Sequence, residues 1–195
     1  MSRRVHRVHE VPGYLLHSTA WKETSLIVQA FTREHGTVAL VAKGAKRPQS
    51  VLRPALSIFQ PVLLSWSGSH DIKTLIRVES AGIRPMAGKA WMSAWYMNEL
   101  LLRLLPREDA HETLFEAYDD ALRQLAQGGA AAGALRRFEW ILLTETGYGL
   151  EGTPPDFEDP AQAAALRAPL RERIDFLLAG RPLNTRKVLM ALQRV

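Results

Sequence analysis

Apolar and polar side chains alternate along the first eighty or so residues, then give way to three-and-four spacing. Gly13 to His17 (GYLLH) reads as a short strand. Ser25 to Thr32 reads as a longer one, with Leu26, Val28 and Ala30 on one face and Ile27 and Phe31 on the other. Arg33-Glu34-His35-Gly36 is a turn ending in glycine and Thr37 to Ala42 the returning strand, which together predict a hairpin. Ser57 to Trp66 is a fourth candidate, with Pro61 demoting it to an edge or marking a bulge. Past the polar Ser67–Asp71 stretch, Ile72 to Ser80 alternates again. Residues 1–10 are charged and aperiodic, and are expected to form a flexible arm. Short strands separated by turn signals predict a small β-barrel, closed or nearly so, which removes sticky sheet edges.

The later spacing is helical. Lys89 to Leu105 sets Trp91, Trp95, Asn98/Glu99, Leu102 and Leu105 in register, with Met92, Leu100, Leu101 and Leu104 widening the apolar side. That predicts a largely buried helix ended by Pro106. His111 to Gln127 is amphipathic and stops at Gly128-Gly129, and Ala134 to Thr146 closes at Gly147. Beyond the Pro/Gly/acid loop Glu151–Pro160, helices are expected over Ala161–Leu178, splitting at Pro169, and over Asn184–Gln193 with Asn184 as N-cap. The only low-complexity tract is the alanine run at 130–134. The expected organisation is α+β, a five-stranded β-barrel domain over residues 1–82 followed by an all-α helical domain over 83–195.

Charge sharpens this division. The chain of 195 residues has a formal net charge of +5. Residues 1–82 hold eleven Lys or Arg against five acids, so the positive excess lies entirely in the barrel region. It concentrates in Val41–Arg53 (VAKGAKRPQSVLR), where Lys43, Lys46, Arg47 and Arg53 occur without an acid and Gly44, Pro48 and Pro54 oppose a helix. Such a loop is either a solvated surface or a site for a polyanion. On a closed barrel, Arg33, Lys73 and Arg77 are expected near it. Trp66 and Tyr14 are the candidates for stacking on bases, although Trp66 also continues the Val62, Leu64 face, and Phe31 and Phe59 are assigned to the core.

Catalytic chemistry finds no foothold. His6 and His9 have no cysteine near them and only Glu10 as a further ligand. No G-x-S-x-G, H-E-x-x-H, phosphate-binding P-loop or G-x-G-x-x-G occurs. Lys43 and Lys46 lack the apolar surroundings and carboxylate of a lysine nucleophile, and Asp119 and Asp120 on a helix point about 100° apart. No catalytic residue, metal site or cofactor is expected. The absence of cysteine suits a reducing compartment. The basic N-terminus is followed by no apolar signal core, and no run approaches the roughly 18 apolar residues of a membrane span. A cytoplasmic protein is expected, with no membrane partner.

Ordered motifs from about Gly13 to Met190 resemble the RecO family of recombination mediators. They are HS-x-x-W-x-ETSL (His17–Leu26), FT-x-E-x-G (Phe31–Gly36), LVAKGA (Leu40–Ala45), Tyr96–Leu101, Ala134–Glu139, Gly147–Gly149 and Gly180–Leu183. The resemblance implies an OB-fold barrel plus a helical domain, and a non-enzymatic role in DNA repair and recombination after DNA damage, at the nucleoid. It implies binding of single- and double-stranded DNA and strand annealing. It further implies contact with the acidic C-terminal tail of single-stranded DNA-binding protein (SSB) and, with RecR, loading of RecA. On the LRRFE helix it points to Arg136 as receiver of the tail carboxylates, with Arg137 second and Phe138 and Trp140 beside them. The other reading of Arg136 is an i,i+3 pair with Glu139. Some relatives carry a Cys-rich zinc module after the LGYG-like segment; here that loop is short and Cys-free, so no zinc is expected. A different class stays open, an OB-fold adaptor whose barrel binds an acidic protein partner or RNA.

Overall fold

The computed structural model describes residues 6–128 and 131–192. Arg3 and Arg4 of the expected arm, Ala130 of the alanine run and Gln193 of the last expected helix lie outside the described residues. Those up to Arg84, together with Pro106–Ala110, form one compact unit. Pro85–Leu105 and those from His111 onward form another.

The first unit is a closed barrel of β1 (Arg7–Trp21), β2 (Ser25–Thr32), β3 (Gly36–Ala42), β4 (Pro61–Ser67) and β5 (Ile72–Ser80), in the order β1-β2-β3-β5-β4. Neighbours are antiparallel except β3 and β5, which run parallel. This is the OB-fold. Closure depends on the 15-residue β1, whose later part pairs with β2 and whose earlier part pairs with β4. Arg7–Glu10 are therefore sheet and not the flexible arm that the aperiodic sequence suggests. The alternation is hidden by a bulge between Val8 and Val11, where Glu10 takes φ 52° and its N–H donates to Ser65 Oγ at 3.0 Å. Both valines on either side of it enter the core. Pro61 opens β4, where its missing N–H costs no ladder bond, so the strand is shorter than Ser57–Trp66.

The inward face carries Val28, Ala30, Leu40, Ala42, Leu64 and Trp66. Pro106–Ala110 lies against the start of β3. Glu108 N–H donates to Thr37 O at 3.0 Å, and Thr37 Oγ1 donates to Pro106 O at 3.0 Å. Gly36 fits there because its φ is 60° and a Cβ would stand 1.8 Å from Asp109 O. Lys73, buried at the same end of β5, makes an ion pair with Glu108.

The second unit consists of α1 (Ala90–Leu104), α2 (Glu112–Ala126), α3 (Ala131–Glu145), α4 (Pro160–Leu177) and α5 (Asn184–Leu192). α1 buries Ala94, Met97, Leu100 and Leu101, while Trp91, Trp95 and Leu102 are exposed, so its buried face is not the tryptophan stripe. α4 continues through Pro169, because Leu170 and Ile174 are buried and hold the helix beyond it. That packing outweighs the ~3 kcal/mol a mid-helix proline costs.

Asn184 does not cap α5 but is its first residue. The cap comes from Glu99 of α1, which accepts from Asn184 N (2.8 Å), Thr185 N (2.9 Å) and Thr185 Oγ1 (2.8 Å). Burial alone would raise the Glu99 carboxyl. The bonds from Thr185 and Asn184, with Arg103 beside it, hold it below the usual carboxylate range instead. A carboxyl lowered on folding contributes stability above its unfolded pKa and loses it as pH falls through the folded value. Glu99→Ala is expected to cost about 1–2 kcal/mol. Thermal melts followed by circular dichroism should show that deficit at neutral pH, narrowing as the buffer is acidified.

Candidate nucleic-acid interface

The basic loop leaves the barrel where β3 ends. Gly44 takes a left-handed φ of 71°, and Arg47 N–H donates to Gly44 O at 3.0 Å, closing a tight turn. Two contacts fix this turn. Ala45 is 1% exposed and plugs the end of the core, and Lys46 N–H donates to Thr24 O at 2.9 Å in the β1–β2 turn. Lys46 Nζ also reaches Lys22 O at 3.5 Å. Lys43, Lys46 and Arg47 thus stand exposed on a pinned turn, and among the described residues none of them makes an ion pair. The loop then bends back over β5. Between them is a cleft of about 680 Å³ lined by Lys43, Gly44, Arg47, Pro48–Leu52, Leu75 and Ile76. Its wall carries cations and its floor is apolar.

The other sequence candidates are distributed differently. Arg53 is exposed in the short 3₁₀ turn Arg53–Ala55 that follows the cleft. Arg77 is exposed on β5 and pairs with Glu79 at 2.6 Å. Arg33 lies in the β2–β3 turn, at the opposite end of β2 from the Lys22–Thr24 turn. Lys73 is turned inward, its ammonium held by Glu108 and by His70 O at 3.3 Å, so it offers no charge to a phosphate. Trp66 is 1% exposed and meets the His35 ring edge-on at 5.2 Å, so neither face is open to a base. Tyr14 is equally buried, beneath the Arg84 guanidinium. The strand pattern already placed Trp66 on the core face, and that face decides its fate. Two residues missed by the sequence reading border the loop, Lys22 and Trp21. Trp21 is 47% exposed at the end of β1. The only sequence signal for it is the HS-x-x-W-x-ETSL motif, since the strand pattern stops at His17.

On α3 of the helical unit, Arg136 pairs with Glu139 at 2.9 Å, and Tyr96 Oη donates to the same carboxylate oxygen at 2.6 Å. Both side chains are largely buried, and among the described residues Arg136 Nε and Glu139 Oε2 have no hydrogen-bond partner. Burial pushes the Glu139 carboxyl up, against the pull of Arg136, the Tyr96 hydroxyl, Arg186 and Arg167. Burial, followed by the charge of Glu139, pushes Tyr96 well above the ordinary tyrosine range. Arg137 is exposed and reaches Asp120 Oδ2 at 3.1 Å. Phe138 lies wholly in the core beside Tyr118, with no surface for an incoming tail. Trp140 is nearly buried against Phe157. The i,i+3 pair is thus the arrangement α3 adopts.

Among the described residues no three His, Asp or Glu side chains gather as a metal site requires, and no helix is long and apolar enough to cross a membrane.

A closed barrel of this strand order with a cationic loop, continued by a helical unit, defines a basic OB-fold protein of the α+β class. Comparison with known proteins narrows the class. The family model for the N-terminal part of recombination protein O matches residues 6–84, and that for the C-terminal part matches residues 87–153. The DNA repair protein RecO of Aromatoleum aromaticum is 53% identical over 161 residues, covering 80% of this chain and 67% of its own length. That of Ralstonia nicotianae is 38% identical over 240 residues, covering 100% of this chain and 88% of its own. That of Cupriavidus pinatubonensis is 54% identical over 145 residues, 74% of this chain and 50% of its own. The chain spans between half and nearly nine-tenths of these relatives' lengths. It belongs to the RecO family of DNA repair and recombination proteins.

Proposed function

We propose that this chain is a recombination mediator that binds single- and double-stranded DNA through its barrel and anneals complementary strands. In this reading its helical unit engages the acidic tail of SSB and, together with RecR, promotes the loading of RecA. Its place of action is the nucleoid. The observation that carries the DNA part is the pinned loop with three exposed cations, Lys43, Lys46 and Arg47, none of which makes an ion pair among the described residues. A rigid presentation of that kind suits a phosphate backbone, since the charges are ordered before the ligand arrives. Phosphates carry no base information, so binding is independent of sequence. The annealing role follows from that indifference, because the protein must hold two strands while base pairing selects the match.

On the tail side, Arg136 is the receiver of a carboxylate and Arg137, exposed one residue on, the second contact. This requires the Arg136 guanidinium to share itself between Glu139 and the incoming group. Support for it comes from family membership and from the arginine-rich setting of Glu139, where Arg167 and Arg186 add positive potential.

The test is annealing of complementary oligonucleotides by the full chain without ATP or metal ions. Acceleration over the spontaneous rate is expected, with pairing that survives removal of the protein. No acceleration, combined with binding of an acidic peptide but not of single-stranded DNA at moderate salt, would replace this reading with an adaptor for acidic proteins. Preference for RNA over DNA in the same assay would redirect it to RNA.

A further inference from the structure

The outer surface of the barrel beside the loop is apolar in a way that the charges do not explain. Core residues alternate inward along β2, β3 and β5 (Val28, Leu40, Ala42, Leu75), so the residues between them face outward. Strand pairing sets Thr19 opposite Ile27, Ile27 opposite Val41, and Val41 opposite Thr74. Residues paired in this way share a face, which makes one row across four strands with Ile27 and Val41 at its centre and the threonines Thr19 and Thr74 at its ends. Trp21 lies two residues beyond Thr19 on that face and Ile76 two beyond Thr74. They are 47% and 51% exposed. The Trp21 indole is left half open at the sheet end, whereas Trp66, the other described tryptophan of this unit, is fully buried. Lys22, Lys43, Lys46 and Arg47 border the Trp21 end of the row, because Lys46 bonds the carbonyls of Lys22 and Thr24.

We propose that Trp21 is a stacking platform for an unpaired base, with the Ile27–Val41–Thr74 row continuing the surface, and that this makes the interface selective for single strands. The inference rests on the DNA reading above and deepens it. Cations alone treat single and double strands alike, whereas an aromatic face engages only a base that has left its own stack. Within a duplex the base faces are occupied by neighbouring pairs, so a duplex meets the lysines and arginine but not the indole. Charge complementarity commits the surface to a polyanion. The apolar row commits it to one that exposes flat apolar rings between its charges, which is single-stranded nucleic acid.

The experiment compares the full chain with Trp21→Ala and Trp21→Phe, titrating each with oligothymidylate and with a duplex of equal length. Trp21→Ala is expected to weaken single-strand binding about 5- to 150-fold, the range that base–aromatic stacking supplies, with duplex affinity and salt slope unchanged. Trp21→Phe should recover most of the loss. Equal weakening for both ligands, or no change for either, overturns the stacking role and leaves the DNA reading standing. Binding of neither ligand by the unaltered chain overturns both. Should Trp21→Ala fail to fold, Trp21→Leu keeps the bulk without the π face and carries the same comparison.

Discussion

Changing Lys43, Lys46, Arg47 and Arg53 together to alanine is expected to reduce the slope of log affinity against log salt by about 3. Each phosphate neutralised contributes roughly 0.7–0.9 to that slope by releasing condensed counterions. At low ionic strength the affinity itself should drop by about three orders of magnitude, and the gap should close as salt is raised. The structure explains why the loop should behave as a unit. Ala45 and the Lys46–Thr24 bond fix the backbone, so the four substitutions remove charge without loosening the turn. Ala45→Asp is the converse perturbation, since it forces a carboxylate into the barrel end and should disturb the loop while retaining every cation. Fluorescence anisotropy with labelled oligonucleotides measures both. An unaltered slope in the fourfold variant would remove the loop from the interface and shift attention to Arg33 and Arg77.

Arg136→Ala is expected to destabilise the helical unit by about 3–5 kcal/mol, the cost of leaving a buried charge without its partner. Glu139 is almost fully enclosed, and without the guanidinium its carboxylate keeps, among the described residues, the Tyr96 hydroxyl as its one hydrogen-bond donor, with Arg167 and Arg186 acting at longer range. A loss of SSB-tail binding in that variant would therefore confound site and stability. Replacing the polar cluster as a whole separates them. Arg136→Met with Glu139→Leu and Tyr96→Phe removes the charges and the hydroxyl together, and should recover most of the stability. Tail-peptide binding should remain lost if Arg136 receives the carboxylates. Full binding by the triple variant would sink that assignment. The pH dependence gives an independent check. A carboxyl raised on folding costs stability while ionised and returns it as pH falls through the folded pKa toward the unfolded one. The triple variant has no carboxyl at 139 and lacks this contribution, so its stability relative to the unaltered chain should fall as the pH is lowered, opposite in sign to Glu99→Ala.

Much of the fold was written in local pattern. The β2–β3 hairpin was legible because each strand alternates without interruption and a glycine closes the turn, and α2 because its apolar positions keep one helical face. What escaped had long-range causes. β1 extends to Arg7 because β4 supplies the partner across a bulge, and a two-residue period cannot be followed through one extra residue. α5 is capped by a glutamate from α1, so Asn184 satisfied the local rule and still was not the cap. α4 crosses Pro169 because tertiary packing overrides a local penalty.

The candidate site divides along the same line. Exposed cations on a glycine- and proline-bounded loop are a composition signal, and Lys43, Lys46 and Arg47 carried it. Burial of Lys73 was illegible, since its partner Glu108 lies far along the chain on a segment that reads as a helix connection. Trp66 and Trp21 exchange roles for a related reason. Which face of a strand is inward is readable for β4, while the local pattern of the strand bearing Trp21 ends at His17, four residues short of it.

The return of Pro106–Ala110 to the barrel has a consequence for the order in which the chain is made. The sheet has all its strands once Ser80 has left the ribosome, but the carboxylate that neutralises Lys73 and the backbone that fills the space over Gly36 emerge only after α1. At ordinary synthesis rates that is a delay of a few seconds. Through that interval a ring with its hydrogen bonds in place holds an ammonium with no counter-charge. The barrel is thus finished by a segment translated with the helices, and a fragment cut at Arg84 would be arrested at that unfinished stage.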